Sequence, residues 1–457
     1  VPEQAGYLDY TFNGGAQIVP HFGATNNEYG TGCMLQSDGK FVVVGIARTD
    51  TTLFYGAVRC LSNGALDTNF GGLGTGSVII PSLGDGNTDE ARAGQLQTDG
   101  KIVMAGLTYS GGGEFYSAAR LTQDGLPDTT FGTTGNGTVI INTFDKGSAR
   151  SEAHALQIQP DGKLVLAGYS SDGVHICFSI ARLNQDGTPD STFGPVGNGT
   201  YVLPYFGAIG ANNVRGLQIQ SDGKFLLAGI SSDDPDGPAI SRYLVARVTA
   251  NGLIDTTFGT GGTGFVELPY FGGATNDQCN AIQLQPDGKI LLCGFSDIGA
   301  PGPDRVTCFS IVRLLQNGVV DTTFGNNGYL IVQPFQGGTS NVATCFCLQS
   351  DGKIVVGGYS NFALHGQTSC TLVRLLQDGS FDTTFGPSGN GRARLFSNLP
   401  NAYNQPVGIF LQPDQKFIMG GVAIALDNSN CFFAARATNQ FSLAEYQAEY
   451  LSQGGFY

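Results

Sequence analysis

Apolar and polar positions alternate with period two in short bursts along the chain, each burst stopped by Gly, Asp, Asn or Pro. Residues 154–205 show the pattern once through. HALQIQ alternates and meets the turn Pro160-Asp161-Gly162; KLVLAGYS is a continuous β-rich run; CFSIARLN is a third; DGTPDSTFG turns the chain; and GTYVLPYF supplies a fourth. Runs of this length, rich in Val, Ile, Leu and Phe and bounded by turn residues, predict strands. Asp-Gly at the first turn allows the positive φ that tight hairpins need. Nothing with helical period longer than a turn lies between the runs.

The unit recurs. Asp-Gly-Lys has its Asp at 38, 99, 161, 222, 287 and 351, and a degenerate seventh copy reads Asp414-Gln415-Lys416, so the spacings run from 61 to 65 residues. A second marker, Asp-x-x-Phe, has its Asp at 9, 67, 128, 190, 255, 321 and 382. Both markers give seven, and four-stranded units repeated radially make a β-propeller. The expectation is an all-β, seven-bladed propeller over 1–440. Its repeats lie near 30–81, 92–143, 154–205, 213–269, 279–333 and 343–396, and the seventh joins 405–437 to 15–22. The first marker is followed by a lone strand, AQIVPHF, and the last unit lacks a fourth, so the N-terminal strand is expected to complete the C-terminal blade and remove the open edges. The tail 441–457 breaks the repeat; Leu443, Tyr446 and Tyr450 fall at helical spacing there.

An arginine stands in the third strand of every unit, and in six of them an aspartate follows eight residues later. The pairs are Arg59–Asp67, Arg120–Asp128, Arg182–Asp190, Arg247–Asp255, Arg313–Asp321 and Arg374–Asp382. Arg436 has no such follower, and its equivalent is Asp9 from the other end of the chain. These fourteen residues read as structural, a charge-assisted contact pinning turn to strand.

Composition supports this and narrows function. Gly is 69 of 457 residues and charged residues only 13%, as many tight turns and few helical surfaces require. The formal net charge of -14, without any Lys/Arg cluster, argues against nucleic acid and anionic lipid as partners. No apolar run is long enough to span a bilayer. Val1 begins the chain without the charged and apolar segments of a leader, as a processed protein or a fragment would. The ten cysteines sit mostly in strand-like runs and read as small buried hydrophobes, with one or two disulfides as the alternative.

The units LQIQPDGKLVLAGYS, FSIARLNQDGTPDSTFG and LQPDGKILLCGFS resemble the delta-60 repeat, over residues 8 to about 438. That repeat is found in arrays in large, often exported or surface-associated bacterial proteins. The resemblance implies a propeller of uncharacterised role and brings no catalytic residue with it. The departures are Tyr10, Asn13, Asn69, Val248-Thr249 and Gln415.

Repeated residues concentrate in the first–second and third–fourth strand turns, which share one face. Length variation concentrates on the other face, in 107–114, 170–176, 230–242, 295–306 and 360–369 and in the crossings 84–91, 144–152, 206–212, 270–278, 335–342 and 397–405. A binding surface is expected on that variable face. Tyr109, Tyr116, Tyr205, Tyr270, Tyr359 and Tyr403 are its candidate contacts for protein or glycan. The leading reading is a non-enzymatic binding or structural scaffold, extracellular, surface- or particle-associated, with self-assembly through faces or tail. The alternative is a polysaccharide-acting enzyme using non-repeat acids of the variable face: Asp85, Asp89, Glu90, Glu114, Glu152, Asp233, Asp234 and Asp236. His21, His154, His175 and His365 stand alone and match no catalytic motif. No cofactor is expected, apart from a weak calcium candidate at Asp233, Asp234 and Asp236, which otherwise form a solvated acidic loop.

Overall fold

A computed structural model describes residues 9, 12–13, 16–18, 28–49, 51–144, 150–207, 210–233, 240–271, 273–299, 305–333, 338–361, 368–386, 388–395, 404–424 and 430–438. Among these residues every extended element is a strand and no α-helix occurs. The tail 441–457, Tyr403, Asp234, Asp236, His21 and His365 lie outside the described residues.

One unit explains the rest. Ser151–Ile158 pairs antiparallel with Leu164–Ser171, that strand with Ile176–Leu183, and that one with the short Thr200–Val202. In the first hairpin Gln159 N–H donates to the Lys163 carbonyl at 2.8 Å and Gly162 N–H to the Gln159 carbonyl at 2.8 Å. The Asp161 carboxylate accepts from Lys163 N–H at 3.1 Å, and Gly162 takes φ of 82°. Asp-Gly-Lys therefore marks a turn ending in a left-handed residue, which is why glycine recurs there. The run Leu164–Tyr169 is buried throughout, since neighbouring units cover both faces of the middle strands.

The apolar core is accordingly layered between units. Val165, Ala167 and Phe178 of the third pack with Val214, Phe225 and Leu227 of the fourth. Among the described residues there are seven such layers. Six lie between consecutive units, and the seventh joins Phe12, Phe41, Val43 and Val58 to Ile418, Phe432 and Ala434. A fully buried Phe contributes about 2–3 kcal/mol to such a layer.

The innermost strands are Tyr29–Leu35, Asp89–Leu96, Ser151–Ile158, Ala211–Ile219, Gly273–Leu284, Asn341–Leu348 and Asn404–Leu411. Each adjoins the next, and Tyr29–Leu35 also adjoins Asn404–Leu411. At the chain ends, Ala16–Ile18 pairs antiparallel with Asn430–Ala437. Glu28 N–H donates to the Asn430 carbonyl at 3.0 Å, as Leu53 N–H does to Asn87 at 2.9 Å between the first two units. The repeats are propeller-like, and the inner strands converge on a shared cavity.

Candidate functional site

Two sets of repeated positions organise the molecule. The first holds the arginine–aspartate pairs, whose Nε–carboxylate distances are 2.7–2.9 Å in all seven cases, Arg436–Asp9 included at 2.7 Å. The lysine of each first turn reaches the same aspartate at 2.8–3.5 Å. Each guanidinium lies 4.5–5.1 Å over the Phe of the Asp-x-x-Phe marker. The contact also crosses units. Arg182 donates to the Ala250 carbonyl of the next unit at 2.7 Å, Arg247 to Gln316 at 2.9 Å, and Arg436 to Ser62 of the first unit at 3.1 Å. Burial opposes ionisation of these aspartates, yet the threonine hydroxyl and amide, the lysine and the arginine outweigh it. The carboxyls of Asp128, Asp190, Asp255 and Asp321 are held far below their usual range. Seven equivalent copies serve the frame; they distinguish no unit from another.

The second set does distinguish them. Every inner strand shifts register at one equivalent residue: Thr31, Arg92, His154, Arg215, Asn280, Thr344 and Val407, and Gly273–Leu284 has a second irregularity between Gly273 and Asp277. A β-bulge leaves one residue unpaired and re-aims its side chain. All seven bulge residues line a single cavity of about 740 Å³. Their flanks are small or apolar, as in Ala91 and Ala93, Ala153 and Ala155, and Val214 and Gly216. The bulk would collide otherwise: a Cβ on Gly216 would sit 2.7 Å from the Ile282 side chain. Each bulge precedes its Asp-Gly-Lys turn by seven residues, which puts the set toward the variable face.

Charge gathers on three consecutive bulges. Arg92 Nε donates to Glu152 Oε1 at 2.7 Å, and its Nη2 pairs with Glu90 Oε2 at 2.5 Å. The Tyr169 hydroxyl donates to Glu152 Oε2 at 2.7 Å. His154 Nε2 lies 3.4 Å from Glu152 Oε1, and Arg215 Nη1 lies 3.5 Å from His154 Nδ1. This geometry assigns the imidazole proton to Nε2, with the Nδ1 lone pair facing Arg215. Burial, reinforced by Arg215 and Arg92 against the pull of Glu152, keeps His154 neutral down to about 3. Burial raises the Glu90 carboxyl, and Glu152 and Glu114 add to the effect against Arg92. Burial would raise Glu152 as well, but nearby positive charge and the Tyr169 hydroxyl bring it below the usual range. Residues 92, 150, 152, 154, 169, 211, 213 and 215 border an adjoining recess of about 260 Å³.

Of the sequence candidates, Glu90 and Glu152 come together here, and Tyr359 lines the same cavity. Glu114 sits at the rim, 3.8 Å from Arg150. Asp85 accepts from Gly111 N–H at 2.8 Å, and Asp89 is buried against Thr108 and Leu83 N–H, so both hold loops. Tyr109 is exposed; Tyr205 stacks on His175 at 4.3 Å, and Tyr270 lies under Arg242 at 4.6 Å. Tyr116 is a correction: it is fully buried, its hydroxyl 2.7 Å from Ser179 Oγ of the next unit, because its strand position faces a neighbouring unit. Asp233 is exposed. Among the described residues no group of three His, Cys, Asp or Glu is placed to hold a metal, and all ten cysteines are buried free thiols. The bulge residues Arg92 and Arg215, and Tyr169, escape sequence reading. Their signal is a single variable position between two small ones, seven residues before each turn.

The family model described as "domain of unknown function (DUF5122) beta-propeller" matches six segments, 36–70, 97–131, 159–193, 220–258, 285–324 and 349–385. No curated protein matches. Among solved structures, Sqt1 from Chaetomium thermophilum is similar at 13% identity and a TM-score of 0.41, over 91% of this chain and 86% of that one. The polysaccharide lyase Uly1 is similar at 9% and 0.42, over 96% and 97%. The β-propeller domain of the Trilobed protease from Pyrococcus furiosus is similar at 9% and 0.41, over 90% and 94%. None of these likenesses bears on what this chain binds.

Proposed function

Taking the chain as a β-propeller repeat protein, we propose that it is a closed, seven-bladed ring acting as a binding scaffold, with its ligand held at the variable-face mouth of the central cavity. Closure is supported by the pairing of Ala16–Ile18 with Asn430–Ala437, the Asp9–Arg436 contact and the apolar layer between last and first units. The binding reading rests on one observation. Seven equivalent bulges present seven side chains to one cavity, and three consecutive ones are charged or imidazole-bearing while the repeated frame is held constant. A frame that fixes these groups in advance lowers the ordering cost of binding. Protein or glycan is the partner class, with Tyr109, Tyr205 and Tyr270 on the surrounding surface. A surface or particle setting belongs to the same proposal.

A panel of oligosaccharides and peptides, followed by thermal shift with product analysis of the same samples, tests it. The expected result is a ligand that raises Tm, emerges chemically unchanged, and loses its effect in Glu152→Gln. Ligands whose effect survives every bulge substitution would overturn the cavity as the site.

A second reading, a polysaccharide-acting enzyme, is favoured by Glu90 and Glu152. They flank Arg92, with one carboxyl raised and the other lowered, as an acid and a base would be. Product release that disappears in both Glu90→Gln and Glu152→Gln would select it.

A further inference from the structure

We infer that the ligand of the cavity mouth is an acidic saccharide and that Arg215 receives its carboxylate or sulfate group. The inference rests on the cavity mouth being the ligand site. Arg92 is already neutralised, held between Glu90 and Glu152. Arg215 is not. Its polar contact is the Nδ1 of His154 at 3.5 Å, and it has no ion-pair partner among the described residues. His154 is a neutral ring and offers no countercharge. Arg215 is exposed on the cavity wall, so its guanidinium is open to a solute entering the cavity. The carboxylates at this site, Glu90 and Glu152, are both engaged by Arg92, so in a chain of net charge -14 the Arg215 guanidinium can take a carboxylate or sulfate from outside.

The opposite wall has a different chemistry. Gln278, Asn280, Thr344 and Gln405 present neutral amides and hydroxyls, and Tyr359 and Phe295 present aromatic faces. Amides and hydroxyls match the hydroxyls of a sugar, and aromatic rings match its apolar face. A volume of about 740 Å³ lies within the roughly 300–1,000 Å³ of ligand sites. One wall for an anion and one for a polyhydroxyl body describe an acidic sugar chain better than a peptide, which would ask for a continuous apolar pocket or an open strand edge.

The test is calorimetric titration of an oligogalacturonate, a sulfated galactan oligosaccharide, a neutral galactan oligosaccharide of equal length and an oligoglutamate peptide. The proteins are the native chain, Arg215→Gln, Arg215→Lys, Asn280→Asp and, as a control on the exposed repeat-face loop, Leu73→Ser. The acidic sugars should bind about tenfold or more tightly than the neutral one, the worth of one charge-assisted contact. Arg215→Gln should bring them to the neutral level, while Arg215→Lys keeps part of the difference. Asn280→Asp, which adds a carboxylate without changing shape, should weaken the acidic sugars alone, so the inference does not hang on one variant. A preference for the uronate or for the sulfate decides which anion is meant. Equal binding of acidic and neutral sugars, unaffected by Arg215→Gln, would overturn the inference and leave the cavity as a site. Binding by an acidic peptide with no saccharide bound would overturn the saccharide and leave the scaffold reading standing.

Discussion

Gln415 occupies the position where the six regular first turns carry glycine, and it takes φ of 66° against 80–84° for those glycines. A side chain in the left-handed region costs about 1–2 kcal/mol, of which the greater unfolded freedom of glycine returns part. Gln415→Gly should therefore stabilise the protein by about 0.5–1 kcal/mol, read as a higher urea midpoint with an unchanged slope. Asn13 meets the same demand at the first marker, with φ of 44°, through a residue type that tolerates it. The bulge residues make the complementary point. Their backbone is common to all seven inner strands, so the side chain is free to differ, and Thr31, Arg92, His154, Arg215, Asn280, Thr344 and Val407 do.

At the scale of elements, the third–fourth strand turn is a latch between neighbours. Phe193 lies beneath Gly252 of the following unit, and Gly194 N–H donates to the Asn251 carbonyl at 3.0 Å. A Cβ on Gly252, where φ is 87°, would stand 2.6 Å from the Gly194 nitrogen and 2.8 Å from the Phe193 ring. Gly252→Ala should lower stability by about 1–3 kcal/mol through strain and overpacking. Chemical denaturation measures it, and an unchanged midpoint would mean that the units do not depend on this contact. The Asp-x-x-Phe marker is visible in sequence as a turn within a unit. Its reach into the next unit is not, since Arg182 and Ala250 are far apart in the chain and meet only when two units stack.

At the scale of the whole molecule, the proposed closure rests on the N-terminal strand. Removing residues 1–18 would strip Asp9 from Arg436, empty the place of Phe12 and leave Asn430–Ala437 with an open edge. The truncated chain should melt several degrees lower and scatter light at concentrations where the native chain does not; equal stability would refute closure by this strand. Acid acts on the repeated units together. The depressed carboxyls of Asp67, Asp128, Asp190, Asp255, Asp321 and Asp382 contribute stability that is complete above their ordinary value of 3.8 and is lost as pH falls toward their folded values. His154 acts with the same sign over a higher window: the unfolded ring protonates near 6.5, the folded one only near 3. Glu90, with its raised carboxyl, opposes both weakly. Melting temperature should thus decline gently below about pH 6.5 and steeply below about pH 4. His154→Gln should flatten the upper part and leave the lower.

Strand periodicity, the two markers and the stray N-terminal strand are local or periodic signals. They made the propeller repeats, the turn chemistry and the arginine–aspartate pairs readable from the chain alone, because every copy solves the same local problem. The cavity was not readable in this way. Arg92, Glu152, His154, Tyr169 and Arg215 are spread over three units, and each looks unremarkable in its own strand. Tyr116 looked like a surface contact for the same reason, since only the neighbouring unit buries it. Convergence of inner strands is a property of the stacked units, and the bulge that turns one residue per strand inward is a register shift that amino-acid order leaves unspecified. Tertiary structure therefore decided which residues share the cavity, and with it which charges are paired.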